Sequence, residues 1–228
     1  MTDGPASDKR YRPPADWRAW IRQSLPSTDI KRGGATAWPK GARGLIGDSL
    51  GPVMHLHDGA SEIFYFIDGR CRMEIGDSEE LFGPGDFVLV PPEVPHNLWN
   101  GGDEDLLVFW LVAPNVAANK WRTGRLPTGA MSGRVLRGRV APGAELPTDN
   151  NIRTRLLTVA TPATSVVRAD ERHEAVVYVV EGEADADAGA RRRRVSAHDF
   201  VHVPASTPCT LTPAAGPATV LIFEVPGR

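Results

Sequence analysis

The second half of this chain repeats the first, and that repeat constrains the fold more than any other feature. Placing Glu62 on Ala175, a shift of 113 residues, aligns residues 62–113 with 175–226 without a gap. Tyr65 then falls on Tyr178, Gly69 on Gly182, Asp86-Phe87-Val88 on Asp199-Phe200-Val201, Val90-Pro91 on Val203-Pro204, Pro95 on Pro208 and Leu98 on Leu211. Solenoid units repeat every 20–50 residues or so, so a period this long means two copies of a whole domain.

Within each copy, short runs of β-branched and aromatic residues alternate with Gly, Pro and Asp. They cover 62–67, 86–90 and 106–112 in the first copy, and 176–180, 200–203 and 219–225 in the second. Runs of this kind predict antiparallel strands of a sandwich or barrel. Asp68-Gly69, and Glu181-Gly182 in the second copy, predict hairpin turns, because Gly accepts the positive φ that tight hairpins need. Trp17, Trp20, Ile21 and Leu25 fall at helical spacing and predict a short amphipathic helix over 14–25. A second short helix is expected around 116–122, and 142–151 reads as a surface loop.

Apolar residues make up 41% of the chain and charged residues 24%, enough to build ordinary globular cores. The formal net charge of -2 provides no global positive field for phosphates or anionic lipid, so neither nucleic acid nor a membrane is expected as a partner. Cys71 and Cys209 stand far apart and outside any CxxC spacing, which fits a reducing compartment. The N-terminus is polar, and no stretch approaches the roughly 18 apolar residues of a membrane span. A cytoplasmic protein is expected.

Chemistry concentrates in two segments. In the first, His55 and His57 sit two apart, which on a strand turns both imidazoles to one face. Glu62, five residues on and beyond a turn, can join them from the next strand. In the second, a strand closing at Pro91 runs through a proline-rich turn that delivers His96. Three imidazoles and a carboxylate suit one divalent transition ion, whether Fe(II), Mn(II), Ni(II), Zn(II) or Cu(II).

These segments resemble the paired motifs of the cupin superfamily. The first resembles G(X)5HXH(X)3,4E(X)6G at His55, His57, Glu62 and Gly69, departing only at its opening glycine, where Gly51 stands three residues before His55. The second resembles G(X)5PXG(X)2H(X)3N at Gly85, Pro91, His96 and Asn100, with Glu93 in place of the internal glycine. The resemblance implies an all-β chain of two jelly-roll barrels with short N-terminal and inter-lobe helical segments. The expected division is an N-terminal extension over 1–40, a metal-binding barrel over 41–115, a linker over 116–150 and a degenerate barrel over 151–228. Because edge strands of two-barrel cupins commonly pair across subunits, the resemblance also implies a homodimer.

The second copy is expected to hold no metal. The 113-residue shift carries His55, His57, Glu62 and His96 onto Arg168, Asp170, Ala175 and Cys209. Arg donates no lone pair, so Arg168 is expected to repel a cation and to pair with Asp170. His173, His198 and His202 have no ligand framework around them and read as structural or surface residues. The run 191–194, four arginines, reads as a charged edge strand that deters edge pairing.

Four protein ligands on a six-coordinate ion leave two positions open, room for a substrate and O2 together. Alternation along the strands places Phe64 and Phe66 on the face of Glu62, Val53 beside His55 and Leu98 beside His96, which predicts an apolar, aromatic substrate pocket. The expectation is a non-haem Fe(II) dioxygenase acting on a small organic or aromatic substrate that chelates the metal. Two classes stay open beside it: a non-redox isomerase, cyclase or lyase using Zn(II), Mn(II) or Ni(II) as Lewis acid, and a small-molecule binding protein. The sequence assigns no catalytic base.

Overall fold

Each copy of the repeat closes into its own barrel, and the two barrels pack back to back. The computed structural model describes residues 32–38, 55–76, 78–115, 134–160, 163–189 and 191–226. Among them are sixteen strands and no α-helix. The helices expected over 14–25 and 116–122 lie outside the described residues. No helix among the described residues is long and apolar enough to cross a membrane.

In the first lobe, β1 (Arg32–Trp38), β7 (Leu106–Ala113), β2 (Ser61–Asp68), β5 (Asp86–Val90) and β8 (Leu136–Arg139) form one antiparallel sheet in that order. A smaller sheet of β4 (Ser78–Phe82), β3 (Cys71–Ile75) and β6 (His96–Asn100) faces it. The second lobe repeats this plan. One of its sheets runs β14 (Phe200–Val203), β11 (His173–Glu181), β16 (Ala218–Pro226), β9 (Arg153–Val159). The other runs β10 (Ser165–Arg168), β15 (Pro208–Pro213), β12 (Glu183–Ala188), β13 (Arg191–Ser196).

Strands β2 and β7 are buried along nearly their whole length because both their faces are covered. Phe64, Phe66, Val108, Trp110 and Val112 fill the barrel interior with Met73 and Leu98. The alternate residues Ile63, Tyr65, Ile67, Phe109 and Leu111 point the other way, into a core shared with Val176, Tyr178, Phe200, Leu221 and Phe223 of the second lobe. Period-two alternation thus gives one strand two buried faces, one for its own barrel and one for the joint. Aromatic rings dominate that joint: Phe109 lies 4.4 Å from Tyr178 and 5.4 Å from Phe223 between centroids, and Tyr65 meets Tyr178 at 5.8 Å.

The repeat extends to single hydrogen bonds. Glu93 N–H donates to the His57 carbonyl at 2.9 Å, and Ser206 N–H to that of Asp170 at 3.1 Å. Gly69 and Gly182 both adopt positive φ, +80° and +83°, and both touch the chain entering the last strand of their lobe. A Cβ on Gly69 would stand 2.5 Å from the Asp105 carbonyl oxygen, and one on Gly182 2.4 Å from that of Pro217, so close approach as well as turn geometry requires glycine there.

The gapless shift of 113 residues does not hold throughout. Tyr65 pairs with Phe109 in the first lobe, whereas Tyr178 pairs with Leu221 in the second, which makes the shift 112 in the last strand. The turn before that strand is one residue shorter in the second lobe. The faces confirm the correction, since Phe109 and Leu221 both enter the joint, while Trp110 and Ile222 both point into their own barrels. A one-residue slip would reverse every one of these side chains.

The run of arginines lies on β13, at the edge of its sheet, as expected. Within it, Arg194 reaches both oxygens of Asp185 across the ladder to β12 at 3.1 Å.

Candidate metal centre

Three backbone devices bring four side chains to one point. His55 and His96 exchange both backbone hydrogen bonds, at 3.0 and 2.8 Å, which sets their rings 4.4 Å apart. The turn 58–60, with Gly59 at φ +76°, reverses the chain so that Glu62 on β2 faces His57. Glu93 stands at φ +63° where the resembled motif has glycine, so the turn before His96 keeps a glycine-like conformation. A left-handed glutamate costs about 1–2 kcal/mol; its backbone bond to the His57 carbonyl helps hold that geometry.

The result is a closed constellation. His57 Nε2 lies 2.7 Å, His96 Nε2 2.9 Å and His55 Nε2 3.7 Å from the same oxygen, Glu62 Oε2. The four donor atoms lie within 4.8 Å of one another, and all four side chains are buried. Neighbouring donors around an ion with bonds of about 2.1 Å sit roughly 3 Å apart, so the spacing fits a single small cation.

Hydrogen bonding supports the same fit. The His96 Nδ1–H donates to the Val94 carbonyl at 2.9 Å, which leaves the lone pair of the neutral imidazole on Nε2, aimed at the site. In that tautomer His96 Nε2 and Glu62 Oε2 are both acceptors, so a cation must lie between them, a shared proton in the metal-free site or a metal ion when one is bound. Glu62 Oε1 is buried and has no hydrogen-bond partner among the described residues, an arrangement that is costly for a carboxylate unless a ligand interaction offsets it.

Burial alone would raise the Glu62 carboxyl, but the charge of His57 and hydrogen bonds from His55, His57 and His96 hold it well below the usual carboxylate range. Burial, aided by the nearby His96, lowers His55 to about 4, so its imidazole stays neutral and ligand-competent through the neutral range. In the unfolded chain the same imidazole takes its proton near 6.5. Between these values the unfolded state binds the extra proton, so stability is present above about 6.5 and is lost as pH falls toward 4. Glu62 has the same sign at lower pH, losing its contribution below its ordinary value of 4.5. Urea denaturation of the metal-free protein should show His55 alone removing on the order of 3 kcal/mol between pH 6.5 and 4. A flat profile across that window would contradict the burial of His55.

Phe64, Phe66 and Leu98 all enter the first barrel, as the alternation predicted, whereas Val53 lies outside the described residues. Phe64 meets His96 edge-on at 6.0 Å, then Phe66 and Phe82 continue in near-parallel array at 6.5 and 5.3 Å. This aromatic column fills the barrel behind His96, leaving Phe64 as the ring next to the histidines. Asn100 stands at the opposite end of β6, where it donates to the carbonyls of Trp38 and Glu104 at 2.8 and 2.7 Å and clamps the turn into β7. The Nδ1 bond of His96 and the backbone exchange between His55 and His96 escaped the sequence reading, because main-chain partners leave no motif.

The second lobe corrects the expected residue correspondence. The bridge between His55 and His96 is matched by the pairing of Val167 with Cys209, so the inward positions there are Val167, Ala169, Ala175 and Cys209. Arg168 and Asp170 are exposed, and Asp170 pairs with His173 at 2.6 Å instead of with Arg168. The turn after the strand is one residue longer than in the first lobe, which rotates the arginine outward. Among the described residues this interior offers no ligand set because it is lined by small apolar groups and one thiol that burial pushes up to about 11, and not because an arginine repels the ion. His198 bonds the Tyr178 hydroxyl at 2.8 Å and His202 pairs with Glu174 at 2.5 Å, both structural contacts.

Comparison with known proteins gives the same picture. The cupin domain family matches residues 46–112. An uncharacterized protein of Methanocaldococcus jannaschii is 28% identical over 75 residues, covering 31% of this chain and 60% of that relative. Among solved structures, the pirin YhhW of Escherichia coli, in complex with nickel(II), superposes with a TM-score of 0.61 at 14% identity, covering 88% of this chain and 84% of its own. A mutant of oxalate decarboxylase of Bacillus subtilis superposes with a TM-score of 0.60 at 15% identity, covering 91% of this chain and 71% of its own. The first lobe thus matches the cupin domain family over residues 46–112 and carries a three-histidine, one-glutamate group able to hold a metal, and the two-barrel fold of the chain is similar to that of these solved structures.

Proposed function

We propose that this chain is a metal-dependent enzyme, a non-haem Fe(II) dioxygenase acting on a small organic or aromatic substrate that chelates the metal through oxygen. His55, His57, Glu62 and His96 would hold one ion per chain. The observation that carries the reading is the contrast between this donor set and its surroundings: Phe64, Phe66, Met73, Leu98 and Trp110 line the interior. Cys71, whose thiol burial pushes far above its ordinary value, lies in the same apolar cluster.

Ferrous iron in such a site supplies the one-electron chemistry that lets O2 react with a bound organic molecule. The protein's own part is to hold, orient and exclude water. Glu62 fixes the charge of the donor set at one negative unit when the imidazoles are neutral. Val94, through His96, fixes a ring tautomer, and Phe64 offers an aromatic wall against which a flat substrate can lie.

Elemental analysis of protein purified without added metal or chelator tests this directly, with EPR on the nitric oxide adduct of any iron. About one iron per chain with a high-spin signal, followed by O2 uptake with small phenols, diketones or organic acids, is the expected result. Stoichiometric zinc, manganese or nickel that ferrous iron cannot replace on reconstitution would move the chemistry to Lewis-acid catalysis.

A further inference from the structure

The segment that enters the second lobe is tied to the residue next to Glu62. Ser61 is fully buried, and its hydroxyl donates to Asp149 Oδ2 at 2.6 Å while accepting from Asn151 Nδ2 at 2.9 Å. Asp149 is itself fixed, since its Oδ1 accepts the backbone N–H groups of Asn151 and Ile152, each at 2.8 Å. Ile152 is fully buried in the core between the lobes, and β9 starts at the next residue. A continuous chain of contacts thus runs from the packed joint through Asp149 to Ser61.

We infer that Asp149 and Asn151 are positioning residues for Glu62, holding Ser61 outward so that the carboxylate on the opposite face of β2 stays at the depth of the three histidines. The inference rests on the metal-binding reading above. Adjacent strand residues point to opposite faces, so rotation or fraying at Ser61 is transmitted directly to Glu62. Ser61 needs such an anchor because it opens β2: it pairs with Ala113 at the end of the ladder, immediately after the turn that carries Gly59. The second lobe, whose interior offers no ligand set among the described residues, in this way contributes to the site of the first.

The test is Co(II) titration of the full chain, following the dissociation constant and the visible d–d spectrum. Asp149→Ala and Ser61→Ala should each weaken Co(II) binding by about 10-fold, the scale of outer-shell losses in metal sites, and alter the band shape. The double variant should be no worse than either single one, because both remove the same contact. Ser61→Thr, which keeps the hydroxyl, should restore the constant to within about twofold. If Ser61→Ala fails to fold, Asp149→Ala, on a partly exposed loop, carries the test. A lowered Tm with unchanged Co(II) affinity and spectrum would make the network purely structural and overturn the inference alone. Failure of the unaltered protein to bind Co(II) would overturn the metal reading and this inference with it.

Discussion

Protein carrying His96→Ala should purify with bound metal near zero, against about one ion per chain in the unaltered protein, while remaining folded. His96 supplies one of four donors and exchanges backbone bonds with His55, so its ring is lost without losing the bridge that aligns the two strands. Losing a direct donor should cost more than the 10–100-fold in affinity typical of outer-shell changes. The metal-free fold should lose only about 1–3 kcal/mol, the scale expected when the Val94 carbonyl gives up a buried partner. Metal content by mass spectrometry and unfolding by circular dichroism separate these effects. Unchanged stoichiometry would sink the proposed site, whereas loss of cooperative unfolding would show His96 to be a folding residue.

Phe109→Ala should lower the unfolding free energy by about 3–5 kcal/mol, the range for truncating a buried phenylalanine. Phe109 is fully buried where the lobes meet, against Tyr178, Phe200 and Phe223. Its loss opens a cavity that neither barrel can refill alone. Urea denaturation should remain one transition at a lower midpoint, because the rings it touches belong to the other lobe. Two separated transitions, with one unshifted, would show that the lobes fold independently and that the joint adds little.

The site was legible where side-chain periodicity carries it. His55, His57, Glu62 and His96 could be placed together because their spacing fits alternation on strands and two tight turns, and Phe64, Phe66 and Leu98 followed by the same alternation. The sequence did not disclose β8 (LRGR), which falls within the expected linker over 116–150, because its side chains are largely exposed and its pattern is therefore set by solubility. It also misled at Arg168. Two turns differ by one residue between the copies, and a run of valines and alanines reads equally well in either register. Only the pairing of Val167 with Cys209 and the burial of Ala169 show that these two residues, rather than Arg168 and Asp170, face inward. The anchor at Ser61 was equally silent, since Asp149 and Asn151 lie some 90 positions away and read as ordinary loop residues.

In a homodimer of single barrels every mutation appears twice, because a twofold interface repeats each residue on both sides. Here the two halves meet much as such a dimer would, Tyr65 against Tyr178, but each half has its own stretch of gene. One copy can therefore change its interior without altering the other, provided the surfaces at the joint stay complementary. The residues follow that division of labour. Tyr65 and Phe87 are duplicated as Tyr178 and Phe200, all of them at the joint, whereas the inward positions that hold histidines in the first copy hold a valine, an alanine and a cysteine in the second.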